Sequence, residues 1–368
     1  MHPSLGNFIA RHIAAISSRT GDSAVIAAIP VPKHRLGGIP PAFDEPTTLE
    51  GTANVMLHRA YFAEQKPSVL GMTRTLMQLA HQWVAKTGER PDIVHLHVSY
   101  PAGAAARRLA DRYGVPLVVT EHWTALGPAA QAKLPFWVRQ SVARTLRRAA
   151  VVSPVSADLG RGLKRFGLTE DQTHIIPNVV DTHRFRQSPD AQRRHTLLHV
   201  SSMLDSQKNV TGMLEAFARA LPRLPDDAHF VLIGQQETER HKATASRLGI
   251  VHRVTFRGGL PPHEVAAAMR ESWAFVLFSR FENFPCVLPE AWASGLPVIA
   301  PSVGGIAEAL ATRPDRGILL DDTNLEDAMV QAFDQDWQRE AMCTYAETHF
   351  SIPAVAKSYA RLYQQCLA

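Results

Sequence analysis

Short apolar runs, separated by stretches of helical period, constrain this chain more than any other feature. The run Trp273-Ala274-Phe275-Val276-Leu277-Phe278 is apolar throughout, as a strand buried on both faces requires. Comparable strand candidates recur at Ser23–Ile29, Ile93–Val98, Leu117–Thr120, Ala150–Ser153 and His174–Ile176. They continue at Thr196–Ser201, His229–Ile233, Val254–Arg257, Pro297–Ala300 and Gly317–Leu320. Helical patterns lie between them, as at Ala102–Tyr113, Val210–Leu221, Pro262–Arg270, Glu290–Ser294 and Asn324–Phe333. Strands that alternate with helices pair in parallel, because a parallel crossover needs a connection long enough to hold a helix. The expected class is therefore α/β with parallel sheets.

A chain of 368 residues is long enough for two domains. The turn-rich segment Pro177–Thr182 falls mid-chain and sets the expected boundary, giving lobes over 1–180 and 181–350. Residues 351–368 read as a closing helix that packs back on the first lobe through Ala354, Ser358, Leu362 and Tyr363. The chain opens on a helix-like pattern where a doubly wound lobe opens on a buried strand. Either that first strand is missing or Met1 is an internal start within a longer protein.

The apolar and charged fractions, 45% and 20%, are those of an ordinary globular protein. A net charge of +5 leans mildly toward anionic ligands or membrane surfaces, and no aromatic-rich motif of a nucleic-acid binder accompanies it. Cys286, Cys343 and Cys366 form no CxxC pair, which suggests reduced thiols in a cytosolic protein. Phe8 to Ile16 is interrupted by Arg11 and His12, so it is not a secretory signal, and no apolar run reaches the ~18 residues of a membrane span. Membrane contact would be peripheral. The place for it is the helix-like stretch Pro135–Ala150, where Phe136, Trp137 and Val138 adjoin Arg139, Arg144, Arg147 and Arg148.

Chemistry concentrates after the run at 273–278. Glu282 follows on the loop, and Pro285 suits the first position of the next helix, where its missing N–H has no partner to lose. Glu290 then stands just over a turn into that helix, which Gly295 and Pro297 end. In an open parallel sheet this carboxyl edge is where ligands bind.

Five segments together resemble the retaining glycosyltransferases of family 4. SRFENFPCVLPEAWASGLPVIAPSVGGIAE (279–308) is similar to the family's E-x7-E segment with its Gly-Gly turn, here Gly304 and Gly305. HVSSMLDSQKNV (199–210) resembles the phosphate-binding loop, and VVTEHW (118–123) the first-lobe loop that ends in a histidine. IIPNVVDTHRF (175–185) resembles the inter-lobe connection, and HPSLGNFIARHIAAI (2–16) the glycine-containing first loop and helix without the preceding strand.

The resemblance implies the GT-B fold: two doubly wound, Rossmann-like lobes facing across a cleft. It implies transfer of a sugar from a nucleotide-diphosphate sugar to an acceptor hydroxyl with retained anomeric configuration. On this reading Glu282 binds hydroxyls of the donor sugar, Glu290 binds the nucleotide ribose, and His122 contacts the sugar near the reacting carbon. Asn283, Phe284 and Pro285 line the helix N-terminus, whose free backbone N–H groups favour the diphosphate, Gly6 approaches it from the first lobe, and Lys208 neutralises it. Glu121 would orient His122 or bind acceptor. The family carries an arginine five residues before that lysine; here the position is Met203, with Arg280 as the candidate substitute.

No cofactor and no metal are expected, since no Asp-x-Asp motif stands at a strand end. The expected partners are a nucleotide sugar and a glycan, lipid-linked or small-molecule acceptor, and not nucleic acid. The resemblance places the protein in envelope or exopolysaccharide synthesis, in the cytoplasm or at the inner membrane face. Two other readings stay open: a sugar-nucleotide epimerase of the same fold, and a non-catalytic sugar-nucleotide-binding descendant.

Overall fold

The computed structural model describes residues 7–18, 23–31, 47–48, 55–63, 69–128, 134–188, 193–311, 314–320 and 324–368. Its strands are β1 (Ser23–Val31), β2 (Thr47–Thr48), β3 (Val55–Ala63), β4 (Val94–His97), β5 (Leu117–Glu121) and β6 (Val151–Pro154). They continue with β7 (Thr196–Val200), β8 (His229–Ile233), β9 (Val254–Phe256), β10 (Ala274–Val276), β11 (Val298–Pro301) and β12 (Gly317–Leu320). The chain forms two compact units, residues 1–177 with 355–368, and residues 178–354.

In the first unit the described strands make two three-stranded sheets, ordered β1-β3-β2 and β4-β5-β6. β1 and β3 pair in parallel, β2 is antiparallel to β3, and β4, β5 and β6 are all parallel. Every residue of β5 is buried, which is why its sequence is an unbroken apolar run up to Thr120. The helix Gly103–Tyr113 ends at Gly114, whose φ of 67° places the cap in the left-handed region and lets its N–H bond the Ala110 carbonyl. At its other end Gly103 admits Thr145 of the helix Phe136–Arg148, because a Cβ there would lie 2.4 Å from the threonine Oγ1. The helix Ile352–Leu367 closes this unit. Its Tyr359 is fully buried, with the hydroxyl 2.8 Å from His12 Nδ1 and 3.0 Å from Thr120 Oγ1, and Tyr363 bonds His95 Nδ1 at 2.6 Å.

The second unit holds one all-parallel sheet of six strands, ordered β12-β11-β10-β7-β8-β9. Leu197, Leu198, Phe230, Leu232 and Phe275 on its middle strands are fully buried, each stabilising the fold by roughly 1.5–3 kcal/mol. The chain builds β7, β8 and β9 outward on one side, then returns to lay β10, β11 and β12 on the other. The order in which strands are added therefore reverses between β7 and β10.

Several expectations need correction. His174–Ile176 is not a strand: it runs beside β6 through the hydrogen bonds His174 N to Val152 O and Ile176 N to Pro154 O, with a single bridge at Thr173. β1 pairs with β3, a strand the apolar-run criterion passed over because His58 and Arg59 interrupt it. The helix placed at Glu290–Ser294 begins earlier, at Val287, and ends at Ala293. The long helix Val69–Thr87 and the polar helices Thr238–Arg247 and Arg339–Phe350 add to those expected.

Candidate functional site

The reversal between β7 and β10 opens a crevice at their carboxyl ends, where ligands bind in open α/β sheets. His199, fully buried on β7, ties the two strands there. Its Nδ1 donates to the Val276 carbonyl at 2.8 Å, and its Nε2 accepts from the Ser201 hydroxyl at 2.7 Å. A carbonyl can only accept, so the tautomer is fixed. Burial depresses the His199 pKa to about 4, keeping the ring neutral. Ser201 Oγ in turn accepts from the Met203 N–H at 2.8 Å, which pins the start of the next loop.

Met203 adopts φ 65° and is 0% exposed. Its side chain lies over Gly234, where an added Cβ would come within 2.5 Å of the methionine Cγ. His241 Nε2 donates to its carbonyl at 2.9 Å. The residue standing where the family resemblance calls for arginine is thus a core plug.

One turn of helix, Asp205–Lys208, follows and brings Lys208 to the crevice. Its ammonium donates to Glu282 Oε1 on the β10 loop, with the two side chains 13% and 7% exposed. The Glu282 loop is clamped from behind. Gly304 has φ 53°, and a Cβ there would sit 1.9 Å from the Glu282 carbonyl oxygen, so only glycine fits. Gly305 N donates to Asn283 O at 2.6 Å, and Asn178 Nδ2 to Phe284 O at 2.6 Å.

Arg280 joins the same loops. Its N–H donates to Gln207 O at 2.8 Å, and its exposed guanidinium bonds the Asn209 amide oxygen at 2.7 Å. Asn209 has its side-chain space because residue 212 is glycine; a Cβ there would lie 2.8 Å from Asn209 Nδ2. Two basic side chains, Lys208 and Arg280, therefore stand on the loops at the switch point.

The helix after Glu282 spans Val287–Ala293 with Cys286 as its cap. Pro285 precedes the cap instead of opening the helix. Pro289, third in the helix, occupies a position whose N–H has no intrahelical partner, so it breaks nothing. Asn283 and Phe284 are buried on the approach, and Glu290 is buried in the first turn.

In the first unit His122 follows β5 directly. Glu121 is wholly buried, and its carboxylate accepts from the backbone N–H groups of Ser99 (2.9 Å), His122 (3.0 Å) and Trp123 (2.8 Å). Burial raises its pKa against the pull of those donors. Its work is to fix the loop that carries His122. Around His122 the fold gathers three histidines that sequence reasoning missed. His12 meets it edge-on at 4.9 Å between ring centroids, His97 lies alongside at 5.8 Å, and His95 stacks on His97 at 4.5 Å. Burial, reinforced by neighbouring imidazoles, holds His95 at about 3 and His97 well below the ordinary value. The available signal was His95-x-His97, two residues apart on one strand face at its carboxyl end. Gly6 lies outside the described residues.

Among the described residues no group of three or more His, Cys, Asp or Glu is arranged to hold a metal ion. The second unit by itself offers a carboxylate able to accept from hydroxyls with basic side chains beside it, and the first unit by itself offers a group of imidazoles.

Two family models match the chain in succession. One described as Glycosyltransferase Family 4 covers residues 34–184, and one described as glycosyl transferases group 1 covers residues 194–337. The chain belongs to glycosyltransferase family 4. The D-inositol 3-phosphate glycosyltransferase of Acidothermus cellulolyticus is 26% identical over 62% of this family 4 chain. The enzyme of that name from Frankia alni is 27% identical, also over 62% of the chain. The alignments span 56% and 62% of those relatives' own lengths. Among solved structures, Anabaena HepE in complex with UDP superposes with a TM-score of 0.72 over 97% of this chain and 96% of its own, at 18% identity. The fold is GT-B, two α/β units with parallel sheets.

Proposed function

We propose that this family 4 protein is a glycosyltransferase. It moves a sugar from a nucleotide-diphosphate sugar to an acceptor hydroxyl and retains the anomeric configuration. The observation that carries the reading is the Lys208–Glu282 pair at the point where the strand order of the six-stranded sheet reverses. Glu282 accepts hydrogen bonds from donor-sugar hydroxyls, and Glu290, one helical turn on, takes the ribose hydroxyls. Lys208 meets the diphosphate as it gains charge, worth on the order of 4 kcal/mol at about 4 Å and an effective dielectric of about 20. Arg280 adds the second cation in place of Met203, and the backbone from Asn283 to Pro285 completes the phosphate cradle. His122 donates to or accepts from the sugar. With two cations at the diphosphate the reaction runs without a divalent ion or other cofactor. The acceptor is a glycan, a lipid-linked saccharide or a small molecule. The setting is envelope or exopolysaccharide synthesis on the cytoplasmic side of the membrane.

The test is release of nucleoside diphosphate from a panel of UDP-, GDP- and ADP-sugars, with and without candidate acceptors. Glu282→Gln is expected to lower turnover about a hundredfold in a chain that still folds, though less stably, Arg280→Gln to weaken diphosphate binding, and a chelator to change nothing. Turnover that survives Glu282→Gln removes the site. A new sugar nucleotide formed without acceptor identifies an epimerase instead, and binding without turnover on any donor a non-catalytic descendant.

A further inference from the structure

The helix Phe136–Arg148 carries a face that the proposed reaction does not use. Val138, Val142, Thr145 and Leu146 turn inward and are buried. Phe136 and Trp137 turn outward and are 72% and 71% exposed. Side chains this large and apolar seldom stand side by side in water. At 100° per residue, Phe136, Trp137, Arg144 and Arg148 fall within about 120° of one another on the outer stripe. Aromatic residues occupy its start and cations its end.

The preceding helix enlarges the cationic part. Arg107 has its pKa depressed by partial burial and by the like charges of Arg144 and Arg108. The carboxylate that enters the cluster is Asp111, which bonds Arg148 at 2.7 Å. Arg107 thus feels two neighbouring guanidinium groups beside Asp111, the carboxylate that pairs with Arg148. Crowding of this kind lowers the stability of the protein standing alone and is relieved by an anionic surface.

We propose that this face docks on an anionic lipid bilayer, with Phe136 and Trp137 seated at the headgroup level and Arg107, Arg108, Arg144 and Arg148 against lipid phosphates. Paired exposed aromatics suit the interfacial zone, and surface arginines bind anionic headgroups. A soluble acidic partner would use the arginines and leave the aromatics in water. No helix among the described residues is long and apolar enough to cross a membrane, so the contact is peripheral. The proposal does not depend on the reaction assigned above, because docking is measured without any sugar nucleotide.

The experiment is co-sedimentation of the full chain with phosphatidylcholine vesicles and with equimolar phosphatidylcholine–phosphatidylglycerol vesicles. Binding to the second alone is expected. Arg144→Gln with Arg148→Gln should weaken it about thirtyfold. Phe136→Ser with Trp137→Ser should weaken it about tenfold or more, with an unchanged thermal midpoint because both side chains are exposed, and both variants should keep the circular dichroism of the unaltered chain. No binding, equal binding to both vesicles, or binding untouched by either double substitution overturns the proposal. So does capture by a soluble polyanion that the aromatic substitutions leave unaltered while vesicle binding fails.

Discussion

Glu282 and Lys208 hold each other in a nearly closed place, so each substitution acts on stability and chemistry together. Lys208→Met strands a carboxylate and should cost about 3 kcal/mol. Adding Glu282→Gln should recover most of that stability, since a neutral amide and an apolar chain leave no uncompensated charge, while turnover stays lost. Chemical denaturation of the two single variants and the double variant reads the first effect, and diphosphate release reads the second. A double variant no more stable than Lys208→Met would deny the pair its structural role. In the sequence Glu282 was singled out by its place after the apolar run at 273–278 and by the family motif, Lys208 by the motif alone. Arg280 was legible only as a substitute, because the bond that holds it depends on Asn209, and Asn209 on the bare Cα of Gly212. Met203 read as a missing cation; its burial over Gly234 is a three-dimensional fact with no local signature.

Elements were readable where one physical cause dominated. β8 and β12 appear at their expected bounds because a strand covered on both faces must be apolar, and turns bracket each run. β3 was missed because His58 and Arg59 break its run, and Thr238–Arg247 because a surface helix rich in charge shows little apolar periodicity. The helix Ile352–Leu367 was legible as a helix, but beside its buried Val355, Ala356 and Leu362 its hold on the first unit has a polar part. Tyr359 hydroxyl meets His12 and Thr120 out of reach of water, and Tyr363 meets His95. Tyr359→Phe leaves those partners buried without their mate and should destabilise the protein by about 1–3 kcal/mol. Thermal unfolding with a midpoint equal to that of the unaltered chain would show the helix to be held by apolar packing alone.

Across the whole molecule the buried histidines set an acid limit. His199 is held at about 4, His95 at about 3 and His97 well down, each chiefly by burial. Their ordinary value is about 6.5, so between there and the depressed values the unfolded chain binds more protons than the folded one. Stability is therefore full above about pH 6.5 and is lost as pH falls, by at most about 1.4 kcal/mol per pH unit for each histidine. His199, fully enclosed, carries the largest weight; His95 and His97 keep a part-exposed edge. Melting midpoints measured from about pH 7.5 to about pH 4.5 should fall steadily, and His199→Asn should flatten the slope while lowering the plateau; a midpoint that rises on acidification contradicts this assignment.

The division of the chain into units has a consequence for its birth. Residues 178–354 emerge from the ribosome as one continuous stretch and can close on themselves at once. The first unit, though translated earlier, waits for Tyr359 and Tyr363 to reach His12 and His95. What is synthesised first is thus completed last, and a released chain that ended before Val355 would hold all of the second unit and an unfinished first.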